Sequence, residues 1–274
     1  MALNIVIHGA GGRMGREAAR AALEDRGIAV VGCLEDRRHA AVGKDIGLLC
    51  GRDGAGVAVS AELPAATLAG AVTIDFSVPA AVMSLLKTLP PGSRGLVIGT
   101  TGLSDGERER VAATARTMPV LVSPNMSLGV NLLYRLAGIA AKRLGRGYDV
   151  EIVEAHHRHK RDAPSGTARR LGEVVAGALG LEYATAAVHG REGIRGERTA
   201  TEIGMHALRG GDIVGDHLVM FAGDGERLEL RHIAHSRAGL ARGAITAAKW
   251  LAGRKPGLYS MDDVLGTTPG GADA

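Results

Sequence analysis

The chain has 274 residues, 46% of them apolar and 23% charged, with a formal net charge of +4. That length holds one large or two medium domains with a full core, and the balance of residue types is that of a globular protein. Aromatic residues make up only 3% and basic ones are scattered apart from the run 156–161, which argues against a nucleic-acid partner. Two cysteines, Cys33 and Cys50, give neither a disulfide framework nor ligand spacing, so free thiols in a reducing compartment are expected. The longest weakly charged stretch, 63–86, is broken by Gly70, Asp75 and Pro79 and does not read as a membrane span. Residues 1–4 run straight into an apolar strand without a basic leader. The expectation is a cytoplasmic protein with no membrane partner, and a Gly/Pro/Thr-rich tail at 266–274 that does not pack.

In chain order, residues 3–8 form a short apolar run and 13–24 an alanine-rich helical stretch. Residues 28–34 read as a second strand, 57–59 as a third and 72–76 as a fourth, before a helix opening at Pro79. Another strand covers 95–98; Ser104 then caps a helix that carries Glu107, the capping-box spacing. A further strand covers 120–122. Near-continuous Val/Ile/Leu strands alternating with helices predict a doubly wound, Rossmann-type parallel sheet covered on both faces. After Asn125 the pattern changes to a helix over 128–144, a strand over 149–154, a polar loop and a helix over 167–179. From 187 to 235 consecutive strands follow, with turns at Arg209-Gly-Gly-Asp212 and Gly223-Asp-Gly225 that favour antiparallel pairing. The expected fold class is α/β, with a second α+β domain carrying a largely antiparallel sheet. The expected boundaries are 1–126, 127–238, and a C-terminal helix and tail at 239–274 packing back on the first domain.

Gly9-Ala-Gly-Gly-Arg-Met-Gly15 lies between a strand and a helix. Glycines there permit a tight turn and close approach of a pyrophosphate, while a helix start offers N–H groups and a positive dipole end. The spacing is Gly-x-x-Gly-x-x-Gly, with Met14 where the commoner dinucleotide pattern has glycine, and a plain β–α turn explains the glycines alone. Glu35, twenty residues after Gly15 at the end of the second strand, is placed to accept hydrogen bonds from ribose hydroxyls; its plain alternative is a solvated loop carboxylate. Asp36 repels a 2′-phosphate and Arg37 and Arg38 attract one, so the sequence leans to NAD and leaves NADP open. Gly99-Thr-Thr-Gly102 and Ser123-Pro-Asn-Met126 each follow a buried strand, where a doubly wound sheet opens its crevice; either also reads as an ordinary turn.

Glu151-Ile-Val-Glu-Ala-His-His-Arg-His-Lys160 carries an apolar strand into a cationic cluster. One reading is a solvated basic loop. A metal site from His156, His157, His159 and Glu154 is another, but adjacent residues of an extended chain point to opposite sides and no second ligand cluster follows. The third is a site for an anionic substrate, with a histidine poised for proton transfer. The continuation Lys160-Arg-Asp-Ala-Pro-Ser-Gly-Thr167 favours the third, because it ends in exposed N–H groups and hydroxyls at a helix start. An N-cap accounts for Ser165 but not for the cations before it. No metal is expected.

Together the glycine turn, Gly99-Thr-Thr-Gly102, Glu154-Ala-His-His-Arg-His-Lys160, Asp162-Ala-Pro-Ser-Gly-Thr167 and Gly211-Asp-Ile-Val-Gly-Asp216 resemble the 4-hydroxy-tetrahydrodipicolinate reductase (dihydrodipicolinate reductase) family, in order and over nearly the whole chain. The resemblance implies an NAD(P)H-dependent oxidoreductase of the diaminopimelate route to lysine, acting on a cyclic imine dicarboxylate with loss of water. It implies that His156 is the proton donor/acceptor and Lys160 the second proton donor, and that His157, Gly166 and Thr167 hold the substrate. NADH and/or NADPH would touch Gly9, Ala10, Gly11, Gly12, Arg13, Met14, Glu35, Asp36, Gly99, Thr100, Thr101, Ser123, Pro124, Asn125 and Met126. Residues 1–126 become the dinucleotide-binding domain, and 127–238 the substrate-binding and oligomerisation domain of a homotetramer. One position departs from the pattern: some members have arginine directly after the acid of the second strand, where this chain has Asp36. A related nicotinamide-linked reductase and a catalytically silent NAD-binding regulator are the alternatives; the joint presence of His156 and Lys160 argues against the regulator.

Overall fold

A computed structural model describes residues 1–90 and 93–266, so the expected tail beyond Gly266 lies outside the described residues. The first part runs β1 (Leu3–His8), α1 (Arg13–Glu24), β2 (Ile28–Leu34), α2 (Ile46–Leu49), β3 (Val59–Ser60), α3 (Ala65–Ala69), β4 (Val72–Asp75), α4 (Pro79–Thr88), β5 (Gly95–Ile98), α5 (Asp105–Thr114) and β6 (Pro119–Val122). There follow α6 (Leu128–Leu144), β7 (Asp149–His156), α7 (Gly166–Leu179), α8 (Tyr183–Ala186), β8 (Ala187–His189), β9 (Ile203–Arg209), β10 (Gly215–Gly223) and β11 (Glu226–Ala234). The last elements are α9 (Ala238–Leu251), β12 (Gly257–Tyr259) and α10 (Met261–Val264). The chain divides into two compact units, residues 1–128 with the C-terminal segment from Arg237, and residues 129–236.

In the first unit seven strands pair in parallel in the order β12-β6-β5-β4-β1-β2-β3, the doubly wound sheet expected from the apolar runs. Every position of β4 and β5 is buried, as a strand covered on both faces requires. Each fully buried isoleucine of β1, Ile5 and Ile7, contributes roughly 1.5–3 kcal/mol. Helix α1 packs on α9, and alanines on both (Ala18, Ala22, Ala244, Ala248) keep the two axes close. Strands β3 and β4 stand on opposite sides of β1, so the strand order reverses there, and it is over the strand ends at such a reversal that a crevice opens. The third strand sits at Val59–Ser60 rather than 57–59, paired with Cys33 and Leu34. Helices α2, α3 and α10 and strand β12 were not legible in the sequence, being three to five residues long with no full period to read.

The second unit has five strands in the order β11-β10-β7-β9-β8. The expected second sheet is present and is mixed: the long pairings of β10 with β11 and β7 are antiparallel, while β7–β9 and β8–β9 are parallel. The reason is connection length, since α7 and α8 carry the chain from β7 to β8 and residues 190–202 carry it from β8 to β9. Of the two glycine turns, Gly223-Asp-Gly225 does close a hairpin, between β10 and β11. Arg209-Gly-Gly-Asp212 does not, because β9 and β10 flank β7 and the loop arches over the end of that strand. There Gly210 N–H donates to His156 O and Arg158 N–H to Gly211 O. Strand β7 accordingly runs to His156 instead of ending at Glu154, and Ser165 caps α7 by accepting from Ala168 N–H at 3.1 Å. No helix among the described residues is long and apolar enough to cross a membrane. Nor does any group of three or more His, Cys, Asp or Glu among them stand ready for a metal ion.

Candidate active site

At the strand-order reversal of the first unit lies a cleft of roughly 880 Å3, lined by His8, Gly9, Gly12, Glu35, Asp36 and Phe76 among others. The chain leaves β1 through Gly9, whose φ of 76° lies in the left-handed region, and enters α1 at Arg13 with no side chain capping the helix. A Cβ on Gly15 would sit 2.0 Å from Gly9 O, so only glycine lets α1 begin so near the strand end. The uncapped first turn leaves backbone donors for an anion. Glu35 Oε2 accepts Gly11 N–H at 2.7 Å and Oε1 accepts Asp36 N–H at 2.9 Å, which fixes the carboxylate beside the turn. Both neighbouring arginines are held by acids: Arg37 pairs with Glu62 at 2.5 Å, and Arg38 donates its backbone N–H to Asp36 at 2.9 Å. That N–H is the main reason the Asp36 carboxyl falls below the ordinary range.

Beneath the cleft, Asp75 is fully buried at the end of β4. Its carboxylate lies 2.7 Å from His8 Nδ1 and accepts from Ser77 Oγ at 2.6 Å and Thr100 Oγ1 at 2.5 Å. Thr100 Oγ1 in turn accepts Ser77 N–H at 3.0 Å. Thr100 therefore braces the loop after β4, and Gly99 lies against the ring of Phe76. Ser123 donates to Asn125 O at 2.7 Å, and Asn125 Oδ1 accepts Ser127 N–H at 2.9 Å. Ala10 and Met126 have buried side chains, so each offers a ligand only its backbone. Arg13 is exposed and Met14 half-buried in the first turn of α1, while Thr101 and Pro124 are exposed. The cleft thus gathers Gly9, Gly12, Glu35 and Asp36, and its lining does not include residues 99–101 or 123–126. His8, Phe76 and Ser77 were missed because their placement depends on strand order. The donors fit a dinucleotide: N–H groups for a pyrophosphate, a fixed carboxylate for ribose hydroxyls and apolar walls from Leu34, Leu63 and Phe76.

In the second unit β7 alternates buried and half-buried positions, and Val150, Ile152 and Glu154 take the buried ones. Glu154 occupies a place built for an apolar residue, which is costly unless every lone pair is met. Oε2 accepts from Arg209 at 2.8 Å and lies 2.6 Å from His156 Nδ1; Oε1 accepts from Arg209 at 2.8 Å and from Ser165 N–H at 2.9 Å. Burial alone would raise the Glu154 carboxyl, but these donors, Arg209 first, outweigh it and hold the group below its ordinary range. Arg209 reaches on to Asp162 O at 2.7 Å, and Lys160 Nζ donates to both oxygens of Asp162 at 2.8 Å.

Behind His156 stands His217, 5.3 Å away between ring centroids, with Nε2 3.1 Å from Ser165 Oγ. Burial first, and then the charge of His156, push His217 down to about 4, so it stays neutral at neutral pH. His157 and His159 follow on the loop with ring centroids 6.2 Å apart. Gly166, exposed, and Thr167 open α7 beyond the Ser165 cap, and Thr167 hydrogen-bonds Tyr134. Through Glu154 the unit links His156 to Ser165 at the amino end of α7, and through Arg209 and Asp162 it links the same carboxylate to Lys160. In the sequence Arg209 reads only as a turn residue and Ser165 as a helix cap; their meeting with Glu154, and that of Ser165 with His217, is not legible there. The legible signal was Glu154 and His156 two apart on one strand, hence on one face.

Residues 3–126 match the family model described as Dihydrodipicolinate reductase, N-terminus, and residues 129–265 the one described as Dihydrodipicolinate reductase, C-terminus. The chain belongs to the dihydrodipicolinate reductase family. It is 50% identical to a 4-hydroxy-tetrahydrodipicolinate reductase of Thiobacillus denitrificans, across 97% of this chain and 99% of that one. A protein of the same name from Citrifermentans bemidjiense is 48% identical, across 96% and 99%. Among solved structures it is similar to dipicolinate-bound dihydrodipicolinate reductase from Paenisporosarcina sp. TG-14, with a TM-score of 0.74 at 24% identity, covering 96% of this chain and 99% of that one. An amine dehydrogenase from Mycobacterium smegmatis shares the fold at a TM-score of 0.58 and 15% identity, covering 96% of each chain. The first unit is the nucleotide-binding domain of this family, whose members are NAD(P)H-dependent oxidoreductases.

Proposed function

We propose that the chain reduces 4-hydroxy-tetrahydrodipicolinate to tetrahydrodipicolinate with loss of water, in the diaminopimelate pathway of lysine biosynthesis, and that it prefers NADH to NADPH. The observation that carries the reading is the cluster of His156 and Lys160 beside the amino end of α7, proton donors set against an anion cradle. A dicarboxylate needs cations and oriented N–H groups. His157, Lys160 and the backbone of Gly166 and Thr167 meet that need on one segment.

In the first unit Glu35 and the turn from Gly9 to Met14 hold the dinucleotide, with the backbone of residues 99–101 and 123–126 as further contacts. The bound dinucleotide supplies the hydride. Everything else falls to protein groups. His156 gives a proton to the ring from Nε2, since Nδ1 is turned to Glu154. Lys160 carries a second proton on Nζ, and Asp162 holds that ammonium in place until substrate carboxylate competes for it. The preference for NADH rests on Asp36, whose carboxylate faces a 2′-phosphate with like charge, while Arg37 and Arg38 are already paired.

Two coarser expectations belong to the same reading. Leu208, Ala155, Asp216 and Ile233 form one row across the sheet face opposite Phe221, and exposed Leu208 and Ile233 there suit assembly into a homotetramer, measurable by light scattering. Cys33 and Cys50 are buried free thiols, as suits the cytoplasm. Steady-state kinetics on the cyclic substrate with NADH and with NADPH test the reaction and Asp36 together. Absence of substrate-dependent cofactor oxidation would sink the reading.

A further inference from the structure

The geometry points to Glu154 and Arg209 as the positioning pair of the active site: one buried ion pair that fixes which nitrogen of His156 carries the mobile proton and that tethers Lys160 through Asp162. This inference rests on His156 and Lys160 being the proton carriers proposed above.

The case begins with counting lone pairs. A carboxylate offers four acceptor positions, two on each oxygen. On Glu154 they meet Arg209 twice, Ser165 N–H once and His156 Nδ1 once. Three of the four partners can only donate. A buried carboxylate faced with a bidentate guanidinium stays ionised and has no proton to give. The fourth contact must therefore be Nδ1–H of His156 donating to Oε2. In the neutral ring the proton sits on Nδ1 and Nε2 is bare; in the charged ring Nε2–H is the proton that can leave. Arg209 and Glu154 thus assign the transferring atom without touching substrate.

The same guanidinium does a second task. Besides a bond to Leu208 O at 2.6 Å, it donates to Asp162 O at 2.7 Å, on the loop that carries Lys160. The Asp162 side chain holds Lys160 Nζ through both oxygens. One arginine therefore reaches His156 through Glu154 and Lys160 through Asp162. It can do so because the loop from Arg209 to Asp212 arches over the end of β7 rather than closing a hairpin. His156 and Arg209 are register partners across the parallel β7–β9 pairing, which fixes that approach.

Glu154→Gln separates this role from a structural one. A glutamine amide must set its NH2 against donors on one side; Ser165 N–H and Arg209 cannot turn acceptor, whereas His156 can by moving its proton to Nε2, so the NH2 settles toward His156 and the Nδ1–H form loses its acceptor. The expected result is a fall in kcat of about 100-fold or more, with substrate KM and NADH affinity changed less than about threefold. In 15N-histidine NMR spectra the His156 signal should leave the Nδ1–H tautomer. Arg209→Lys, which keeps one charged donor, should retain more turnover than Arg209→Met, and Arg209→Met should also raise substrate KM by loosening Lys160. His156→Gln is the control for the underlying reading: if it turns over normally, the assignment of His156 fails. If it is inactive while Glu154→Gln keeps both kcat and tautomer, the positioning role alone is overturned. Should Glu154→Gln not fold, wild-type spectra decide, because a neutral His156 protonated on Nε2 refutes the inference.

Discussion

The two units build their sites from opposite materials. In the first, the cleft is made mostly of backbone: a turn at Gly9, an uncapped helix start and one fixed carboxylate, Glu35. In the second, it is made of side chains brought from three strands and a loop, with Glu154, Arg209 and His217 meeting around His156. Backbone donors are common to every sequence that makes the turn, so they bind a generic moiety such as a pyrophosphate. Side chains from distant strands can be chosen one by one, so they can be matched to one particular chemistry.

Lys160→Ala should give the largest effect, a loss of turnover on the order of 10²–10⁴-fold if Lys160 carries a proton as well as a charge. NADH affinity, a property of the first unit, should be unchanged by titration calorimetry. A joint loss of both would break the division between the units. Next comes Gly15→Ala, whose Cβ must displace Gly9 O from 2.0 Å. Overpacking of this kind costs about 3 kcal/mol, visible as a lower Tm, and NADH binding should weaken with it. A variant that binds NADH normally would show that the turn is not the cofactor's seat.

A smaller effect concerns pH. Burial holds His217 at about 4, below the 6.5 of an unperturbed histidine. Between those values the unfolded chain binds a proton that the native one refuses. Stability is therefore fully present above the unfolded value and is lost as pH falls toward 4, by about 3 kcal/mol from this group. His217→Asn should flatten that part of the curve of denaturation midpoint against pH, and an unaltered slope would refute the assignment. Smallest is Asp36→Arg, which replaces a repelling charge by an attracting one at an exposed site. It should lower the KM for NADPH by about tenfold, as an exposed charge contact of roughly 1–1.5 kcal/mol allows, with kcat unmoved.

Much of the first unit was legible in the linear order of residues, because its information is local. An apolar run, a glycine turn and an alanine-rich helix follow one another within 24 residues, and hydrophobic period and turn chemistry act over that range. Glu35 was legible for the same reason, standing one strand away. The short elements were not, since a helix such as Ile46–Leu49 is specified by the Asp45 cap and its neighbours more than by pattern. The sheet of the second unit misled in one respect. Arg209-Gly-Gly-Asp212 has the composition of a hairpin turn, yet its flanking strands are separated by β7. Turn chemistry specifies a reversal of direction; it does not say what lies between the two strands.

Residue type and spacing alone settled that a doubly wound sheet forms, that a polar, cationic segment follows β7, and that His156, Lys160 and the Ser165 cap are brought close by neighbouring positions in the chain. Tertiary structure alone decided what each of these groups faces. Arg209 stands 55 positions from Glu154 and His217 stands 52 from Ser165. Their meeting depends on strand order and register, which are set by the burial of a whole sheet face rather than by any local motif. Propensity and period act over a few residues, so they write the elements. Only the packed core fixes which elements are neighbours, and so which carboxylate orients the histidine.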